Sequence, residues 1–93
     1  MLIQHKQIGK KGIFYVGLDG AIGAELIYHI DAKDNMVIEH TEVGEEFSGE
    51  GVGKQLVETA VNYARAQKMK IIPLCPYANA LFKKKPEWQD LLG

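Results

Sequence analysis

The sequence predicts an α+β domain in which an antiparallel meander of strands precedes a strand–loop–helix–strand–helix unit. Apolar residues recur with a period of two in the first half and with a helical period from Val52 onwards. A glycine-rich segment, Ser48 to Lys54, separates the two patterns. A chain of 93 residues is long enough for one core only, so residues 1–93 are expected to form a single domain.

The second predicted strand is expected to lead into a hairpin. Leu2 to Ile8 is the weaker candidate, and the segment from Ile13 to Leu18 carries apolar residues on both faces. Asp19-Gly20 follows, a pair that tolerates the positive φ angles of a two-residue turn. The chain is therefore expected to reverse direction at this point.

Two further strands continue the meander. Residues from Ile22 to Asp31 alternate between apolar and polar, which indicates a half-buried strand. Asp34-Asn35 turns the chain, and Met36 to Val43 is the next strand. Short turns between successive strands imply antiparallel pairing.

The second half is expected to be mainly helical. Apolar residues between Val52 and Gln67 fall on one side of a helix. Ile71 to Leu74 is a short strand, and Pro76 suits the first turn of a helix that covers about Tyr77 to Lys84. Glu87 to Gly93 is interpreted as a tail. Because a helical crossover joins the strand at 36–43 to the strand at 71–74, these two strands should run parallel.

Composition narrows the classes of function. The net charge of −1 gives no general attraction to nucleic acid or membrane, and neither is an expected partner. No apolar run approaches the ~20 residues of a membrane span, and the first residues lack the apolar stretch of a signal peptide, so a cytoplasmic protein is expected. Cys75 is the only cysteine, which excludes an internal disulfide and a multi-cysteine metal site; no metal is predicted.

Charge is distributed unevenly along the chain. From Asp31 to Glu50 there are seven acidic residues against Lys33 alone, and from Gly51 to Lys85 seven basic residues against Glu58 alone. A solvated surface explains much of this pattern. The same pattern also suits a cationic substrate beside an anionic cofactor.

The glycine-rich loop is the strongest functional signal. Its three glycines, at positions 49, 51 and 53, let the backbone approach a ligand closely, and the helix that follows offers free amides and a positive dipole end. We expect an anion site here rather than a flexible turn. A Walker A loop is excluded by Ser48 and Gln55, and the dinucleotide fingerprint is excluded by Lys54.

The segment from Val43 to Gly53 resembles the central motif of the GNAT (Gcn-related) N-acetyltransferases: a strand ending in valine, an acidic turn, an aromatic residue and a glycine-rich loop. With the segments His40 to Val43 and Pro73 to Tyr77, it is more similar still to the minimal YjdJ-like subgroup. The resemblance extends from about Ala21 to Glu87. It implies a small GNAT-like fold and acetyl-CoA or coenzyme A as the cofactor.

The same resemblance implies a set of cofactor-binding residues. Backbone amides of Gly49 to Lys54 would hold the pyrophosphate, and the backbone of Thr41 to Val43 would line the pantetheine arm. The full set is Thr41, Val43, Ser48, Gly49, Glu50, Gly51, Val52, Gly53, Lys54 and Asn79.

Three departures from the family pattern are visible. Ser48 replaces the usual Arg or Gln, Phe82 stands where many members place a proton-donating tyrosine, and the helices that normally follow the first strand are missing. The acceptor site is therefore expected to be open or completed by another subunit, in a monomer or homodimer.

Candidate catalytic residues lie on either side of the loop. Glu42 and His40 should share one face of their strand, with Glu39 and Thr41 on the other, and Glu42 or His40 is a candidate base. Polar residues on an exposed strand also serve solubility alone.

Cys75 ends a strand and precedes a helix N-terminus, where its thiol could accept the acetyl group, donate a proton or only pack. Tyr77 is a substitute proton donor or a cover of the cleft. Asn79 contacts the cofactor or only occupies an exposed helix face.

The leading hypothesis is an acetyl-CoA-dependent N-acetyltransferase acting on a primary amine of a small molecule or peptide. The first alternative is a non-catalytic module that binds coenzyme A or acyl-CoA. The second is a protein-interaction domain in which the glycine loop is only a turn.

Overall fold

The computed structural model describes residues 2–93, in which a five-stranded sheet is combined with two α-helices and two short 3₁₀ segments. The strands are β1 (Gln4–Ile8), β2 (Lys11–Leu18), β3 (Ala21–Ile30), β4 (Met36–Val43) and β5 (Ile71–Pro73). The helices are α1 (Val52–Ala66) and α2 (Pro76–Lys84), and the 3₁₀ segments are Glu45–Phe47 and Pro86–Leu91. The α+β fold expected from the sequence is confirmed.

The sheet follows the order of the chain, β1-β2-β3-β4-β5. The first four strands pair antiparallel and β4 pairs parallel with β5, as predicted. The β2–β3 turn has the expected positive φ angles, 49° at Asp19 and 81° at Gly20. These primed-turn angles match the twist of the flanking strands, which is why a two-residue loop closes the hairpin.

Both helices pack on one face of the sheet, which we call the helix-covered face. Leu26 and Tyr28 of β3 are fully buried there, together with Leu56 of α1 and Phe82 of α2. The opposite face, which we call the open face, carries the alternate residues of β1 to β4. No helix of residues 2–93 covers the open face. The two-residue period therefore separates a core from a bare surface.

The C-terminal segment differs from its prediction as a tail. Pro86–Leu91 is a 3₁₀ helix that buries Trp88 and Leu91, with the Trp88 ring 5.3 Å from that of Phe82. Arg65 of α1 also donates to the Asp90 carboxylate at 2.8 Å. Six residues are too few for a recognisable apolar period, so the burial of this segment depends on surfaces supplied by α1 and α2.

Within residues 2–93, none of the helices combines the length and the apolar character that crossing a bilayer would require.

Candidate active site

The site is built around a β-bulge halfway along β4. Tyr28 pairs with Ile38 but Ile27 pairs with His40, so Glu39 is an extra residue, a β-bulge. The prediction that Glu39 and Thr41 share a face is therefore wrong. Glu39 is hydrogen-bonded to His29 on the open face, whereas Thr41 pairs with the buried Leu26. The bulge shifts the alternation by one residue.

The pairing between β4 and β5 ends at the same place. The last pair is Ile38 with Pro73, after which the amides of Leu74 and Cys75 both donate to the carbonyl of Ile38, at 3.0 and 3.1 Å. Beyond this point β4 continues to Val43 while the chain after β5 turns into α2. A cleft therefore opens along the second half of β4, narrow at Ile38 and wide at Val43.

The glycine-rich loop closes the wide end of this cleft. Gly49 and Gly51 have φ angles of 79° and 72°, in the left-handed region that favours glycine. Gly51 is the N-cap of α1, and no side chain caps the amides of the first turn. Those amides are unpaired within the helix, and the dipole places a partial positive charge beside them. The loop therefore has the donors and the electrostatics for an anion.

A cavity of about 210 Å³ lies against these amides. It is lined by Val43, Phe47, Ser48, Gly49, Gly51, Val52, Gly53 and Tyr77. Its volume is below the ~300 Å³ at which pockets for drug-sized ligands begin, which suits a small anionic group rather than a whole cofactor. A Cβ built on Gly49 or Gly51 would meet no atom within 4 Å, so there is free space beside both.

Cys75 lies at the narrow end of the cleft. It is the N-cap of α2, is only 5% exposed, and its thiol donates to the Thr41 hydroxyl at 3.6 Å. Burial raises the pKa of this thiol, but the Ala78 amide, the Thr41 hydroxyl and the Tyr77 amide can each donate a hydrogen bond to the thiolate, and together they lower the pKa below its usual value. The environment therefore makes this thiol more acidic than a free cysteine.

Tyr77 is close both to the glycine-rich loop at the wide end of the cleft and to Cys75 at the narrow end. Its hydroxyl lies over the first turn of α1, where a Cβ on Gly53 would be only 2.8 Å away. Burial raises the pKa of Tyr77, and the nearby charge of Cys75 raises it further, so the phenol is protonated at neutral pH. Gly53 is needed here because a larger residue would displace this ring.

His40 and Glu42 do share a face, as predicted, but it is the open face. The His40 Nε2 atom lies 3.6 Å from the Glu42 carboxylate, and both side chains are exposed. Thr41 lies on the helix-covered face of the same strand, where its hydroxyl contacts the Cys75 thiol. The candidate base and the candidate thiol therefore approach β4 from opposite sides.

Four of the predicted cofactor residues do not line the loop cavity, and one of them, Thr41, lies instead beside Cys75. Glu50 and Lys54 are exposed and do not line it. Asn79 lines a separate cavity of about 410 Å³ with Phe82 and Lys83. Asn79 faces away from the loop cavity because Ala78 and Phe82 occupy the buried side of α2.

Sequence reasoning missed the role of the Phe47 side chain beyond its place in the motif. The ring packs against Gly23 of β3, whose missing Cβ leaves room for it, and it also lines the loop cavity. The Gly44 amide donates to the Gly23 carbonyl at 2.8 Å, which fixes the loop to the sheet. An aromatic residue just before a glycine-rich loop is the signal that could have identified this contact.

Comparisons with known proteins agree with this geometry. The sequence model of the family described as GCN5-related N-acetyl-transferase matches residues 13–91. Protein NATD1 of Xenopus tropicalis is 31% identical over 78 residues, which cover 83% of this chain and 72% of NATD1. A GCN5-like protein from Staphylococcus aureus, solved by NMR, is 34% identical with a TM-score of 0.75, over 97% of this chain and 87% of its own.

A more distant solved structure carries a ligand. AAC(6')-Iy, in complex with the bisubstrate analogue CoA-S-monomethyl-acetylneamine, is 17% identical with a TM-score of 0.56. The match covers 85% of this chain and 60% of AAC(6')-Iy. At this identity the likeness is one of fold alone.

Proposed function

Since the chain belongs to the GCN5-related N-acetyltransferase family, we propose that it transfers an acetyl group from acetyl-CoA to a primary amine of a small molecule or peptide. The observation that carries this proposal is the loop at the N-terminus of α1, whose uncapped amides open into the cleft along β4. Membership of the family supports acetyl transfer in general; the acceptor and the roles of single residues are our proposal.

The loop and the strand would bind the cofactor in two parts. The amides from Gly49 to Lys54 would hold the pyrophosphate, and the backbone of Thr41 to Val43 would line the pantetheine arm. Acetyl-CoA supplies the activated acetyl group as a thioester. About five residues of extended chain, roughly 16 Å, separate Val43 from Ile38, so the arm would run from the loop towards Cys75.

Two sets of side chains would handle the protons. An amine must be neutral to attack, and the departing thiolate needs a proton. His40 or Glu42 lies across β4 from Cys75, so it would take the proton from the amine, directly or through water, at the edge of the strand that β5 leaves unpaired beyond Ile38. Cys75 would donate to the thiolate, because its thiol lies at the narrow end and is more acidic than usual. Tyr77, protonated at neutral pH, lies beside it as a second donor.

The charge on the open side supports a cationic acceptor. Glu25, Glu39 and Glu42 all lie on the open face of β3 and β4. The solved structure of AAC(6')-Iy holds the bisubstrate analogue CoA-S-monomethyl-acetylneamine. An amine acceptor for the present chain would be consistent with that ligand.

Calorimetry with coenzyme A and acetyl-CoA tests the binding step. Gly51→Asp would put a carboxylate beside the phosphates and should abolish binding. Gly20→Asp is a matched control, since Gly20 also has a positive φ and open space around it but lies in the β2–β3 turn. If neither ligand binds the parent, or if Gly51→Asp binds as well as Gly20→Asp, the loop is not a phosphate site.

Turnover separates the enzyme from the non-catalytic module. The module is favoured by Phe82, which is 1% exposed and packed on Trp88, so that it serves the core where many family members place a tyrosine. A panel of amines with acetyl-CoA, read by release of free thiol, should give turnover with cationic amines. Binding without turnover across the panel would support the module instead.

A further inference from the structure

We propose that His29 is the base that takes the proton from the acceptor amine, and that Glu39 is the residue that positions its ring. The inference rests on the acetyl transfer proposed above and deepens it, because it chooses among the polar side chains of the open face. His40 and Glu42 are the competing candidates, and the experiment below separates them from His29.

The His29 ring is held by a hydrogen bond to a carboxylate. Its Nδ1 atom contacts the Glu39 carboxylate, which accepts the Nδ1–H of the neutral ring. The lone pair is then on Nε2, and within residues 2–93 no other group forms a hydrogen bond with that atom. A fixed tautomer with a free acceptor nitrogen is the arrangement that a general base needs.

The competing pair is not oriented in this way. The His40 Nε2 atom and the Glu42 carboxylate are 3.6 Å apart, which is beyond hydrogen-bond distance. These two side chains are 50% and 70% exposed, against 37% and 40% for His29 and Glu39. A side chain with a bonded partner and less freedom in water loses less entropy when it is placed for proton transfer. The geometry therefore favours His29.

His5 does not compete for this role. Its ring is stacked on that of Phe14 at a centroid distance of 4.1 Å, on the helix-covered face. Its Nε2 atom forms a hydrogen bond of 2.7 Å with the Tyr28 hydroxyl, so that nitrogen is already occupied. His5 therefore belongs to the packing of the sheet edge.

The β-bulge places the oriented pair at the narrow end of the cleft. Glu39 is the residue that the bulge inserts, directly after Ile38, whose carbonyl accepts the Cys75 amide at 3.1 Å. His29 reaches Glu39 from the neighbouring strand β3. Glu42 lies three residues further along β4, about 10 Å nearer the glycine-rich loop. Because the proposed pantetheine arm brings the thioester towards Cys75, the reacting carbon would lie closer to the His29–Glu39 pair than to Glu42.

The proton steps balance with His29 and Cys75 in these roles. An ammonium acceptor gives one proton to Nε2 of His29, directly or through one water, and the exposed ring passes it to solvent. The neutral nitrogen then forms the N–C bond while the C–S bond breaks, and it loses its second proton to the same Nε2. Cys75 protonates the departing sulfur and regains a proton from His29 through solvent. One proton is therefore released for each acetyl group transferred.

Charged groups surround His29 on three sides. Lys11 of β2 is its register partner, and Glu39 of β4 binds Nδ1. Asp31, just after the end of β3, lies close enough for its carboxylate to interact with the ring. Two carboxylates against one ammonium group leave a net negative charge beside the ring, which attracts a cationic amine.

Steady-state kinetics across pH test the role of His29. In the parent, kcat/KM should rise along an acidic limb, because the base must be unprotonated to act. His29→Asn keeps an amide that can donate to Glu39 but has no group to take a proton. It should lower kcat by about 10²-fold and remove the acidic limb, while the Kd for acetyl-CoA stays unchanged. Lys33→Gln, in the exposed turn before β4, is the control and should behave like the parent.

Glu39 acts through His29, so its variants should follow a different pattern. Glu39→Leu removes the acceptor of the Nδ1–H and should lower kcat by about tenfold, less than loss of the base itself, with little change in KM. Glu39→Gln keeps a carbonyl oxygen for that hydrogen and should restore most of the loss. ¹⁵N NMR of the imidazole, which needs no turnover, should show the Nδ1–H tautomer in the parent and its loss in Glu39→Leu.

Two kinetic results would overturn this inference alone. One is a His29→Asn protein with full kcat and an unchanged acidic limb. The other is loss of that limb in His40→Gln or Glu42→Gln instead of in His29→Asn. A parent without the Nδ1–H tautomer would remove the positioning role of Glu39. A parent that acetylates no amine would remove the proposed function itself, and the base with it.

Discussion

The two halves of β4 have opposite environments although they belong to one continuous strand. Residues 36–38 lie between β3 and β5, and Met36 and Ile38 are fully buried. From Glu39 onwards the strand has lost β5, and Glu39, His40 and Glu42 are exposed. The first half stabilises the fold, and the second half exposes backbone and polar side chains to a ligand. The bulge and the end of the β5 pairing, one residue apart, separate the two.

The largest effect should come from breaking the first half. Ile38→Ala removes three carbon atoms from a fully buried site between two strands. We expect the free energy of unfolding to fall by about 2–5 kcal/mol, as is typical for such truncations, measured by urea denaturation. Glu42→Ala, in the second half, should change it by no more than about 0.5 kcal/mol. Equal losses at the two positions would contradict the division of the strand.

The second half should instead affect turnover. If His40 or Glu42 acts as the base, His40→Gln or Glu42→Gln should lower kcat by about 10²-fold while the Kd for acetyl-CoA stays unchanged. Steady-state kinetics with the best amine, together with calorimetry, measure both quantities. Lys33→Gln serves as the surface control. If both variants keep full kcat, the pair is only a polar patch on an exposed strand.

A smaller effect is expected from a substitution at the contact between β4 and α2. The Thr41 hydroxyl helps to lower the pKa of the Cys75 thiol, so Thr41→Val should raise that pKa. The thiolate fraction at neutral pH then falls, and the pH at which alkylation reaches half its maximal rate moves upwards. We expect alkylation by iodoacetamide at pH 7 to slow by about a few-fold.

Thr59→Val is the control for this measurement. Thr59 is a half-buried threonine of α1 whose hydroxyl donates to the Gln55 carbonyl, away from the cleft. Its replacement should leave the alkylation rate of Cys75 unchanged. A Thr41→Val protein that alkylates like the parent would mean that the helix amides alone set this pKa.

Much of the fold could be read from local pattern. The bounds of β4 were predicted correctly, the Asp19-Gly20 turn has the expected backbone angles, and the helix after the glycine loop ends within one residue of its prediction. Each of these features depends on a run of neighbouring residues, whose hydrophobic period or turn-forming residues can be recognised in the sequence.

The site could be predicted only in its loop. The glycines at 49, 51 and 53 and the absence of a capping side chain in α1 were visible in the sequence, and the structure adds the cavity beside them. Asn79 was assigned to the same site but lies in another cavity, because the rotation of α2 follows from which of its residues reach the core. That rotation is set by packing against β4 and β5.

The strands, the turns, the order of elements and the glycine-rich loop could be predicted from the chain alone, because each is specified by residues within a few positions of one another. Tertiary packing alone produced the bulge at Glu39, which places Thr41 beside Cys75 and leaves His40 and Glu42 on the open face. It also decided the burial of Trp88 in a segment with no period of its own. The face on which a side chain lies depends on its register with the neighbouring strand, and register is a property of two segments that are distant in the chain.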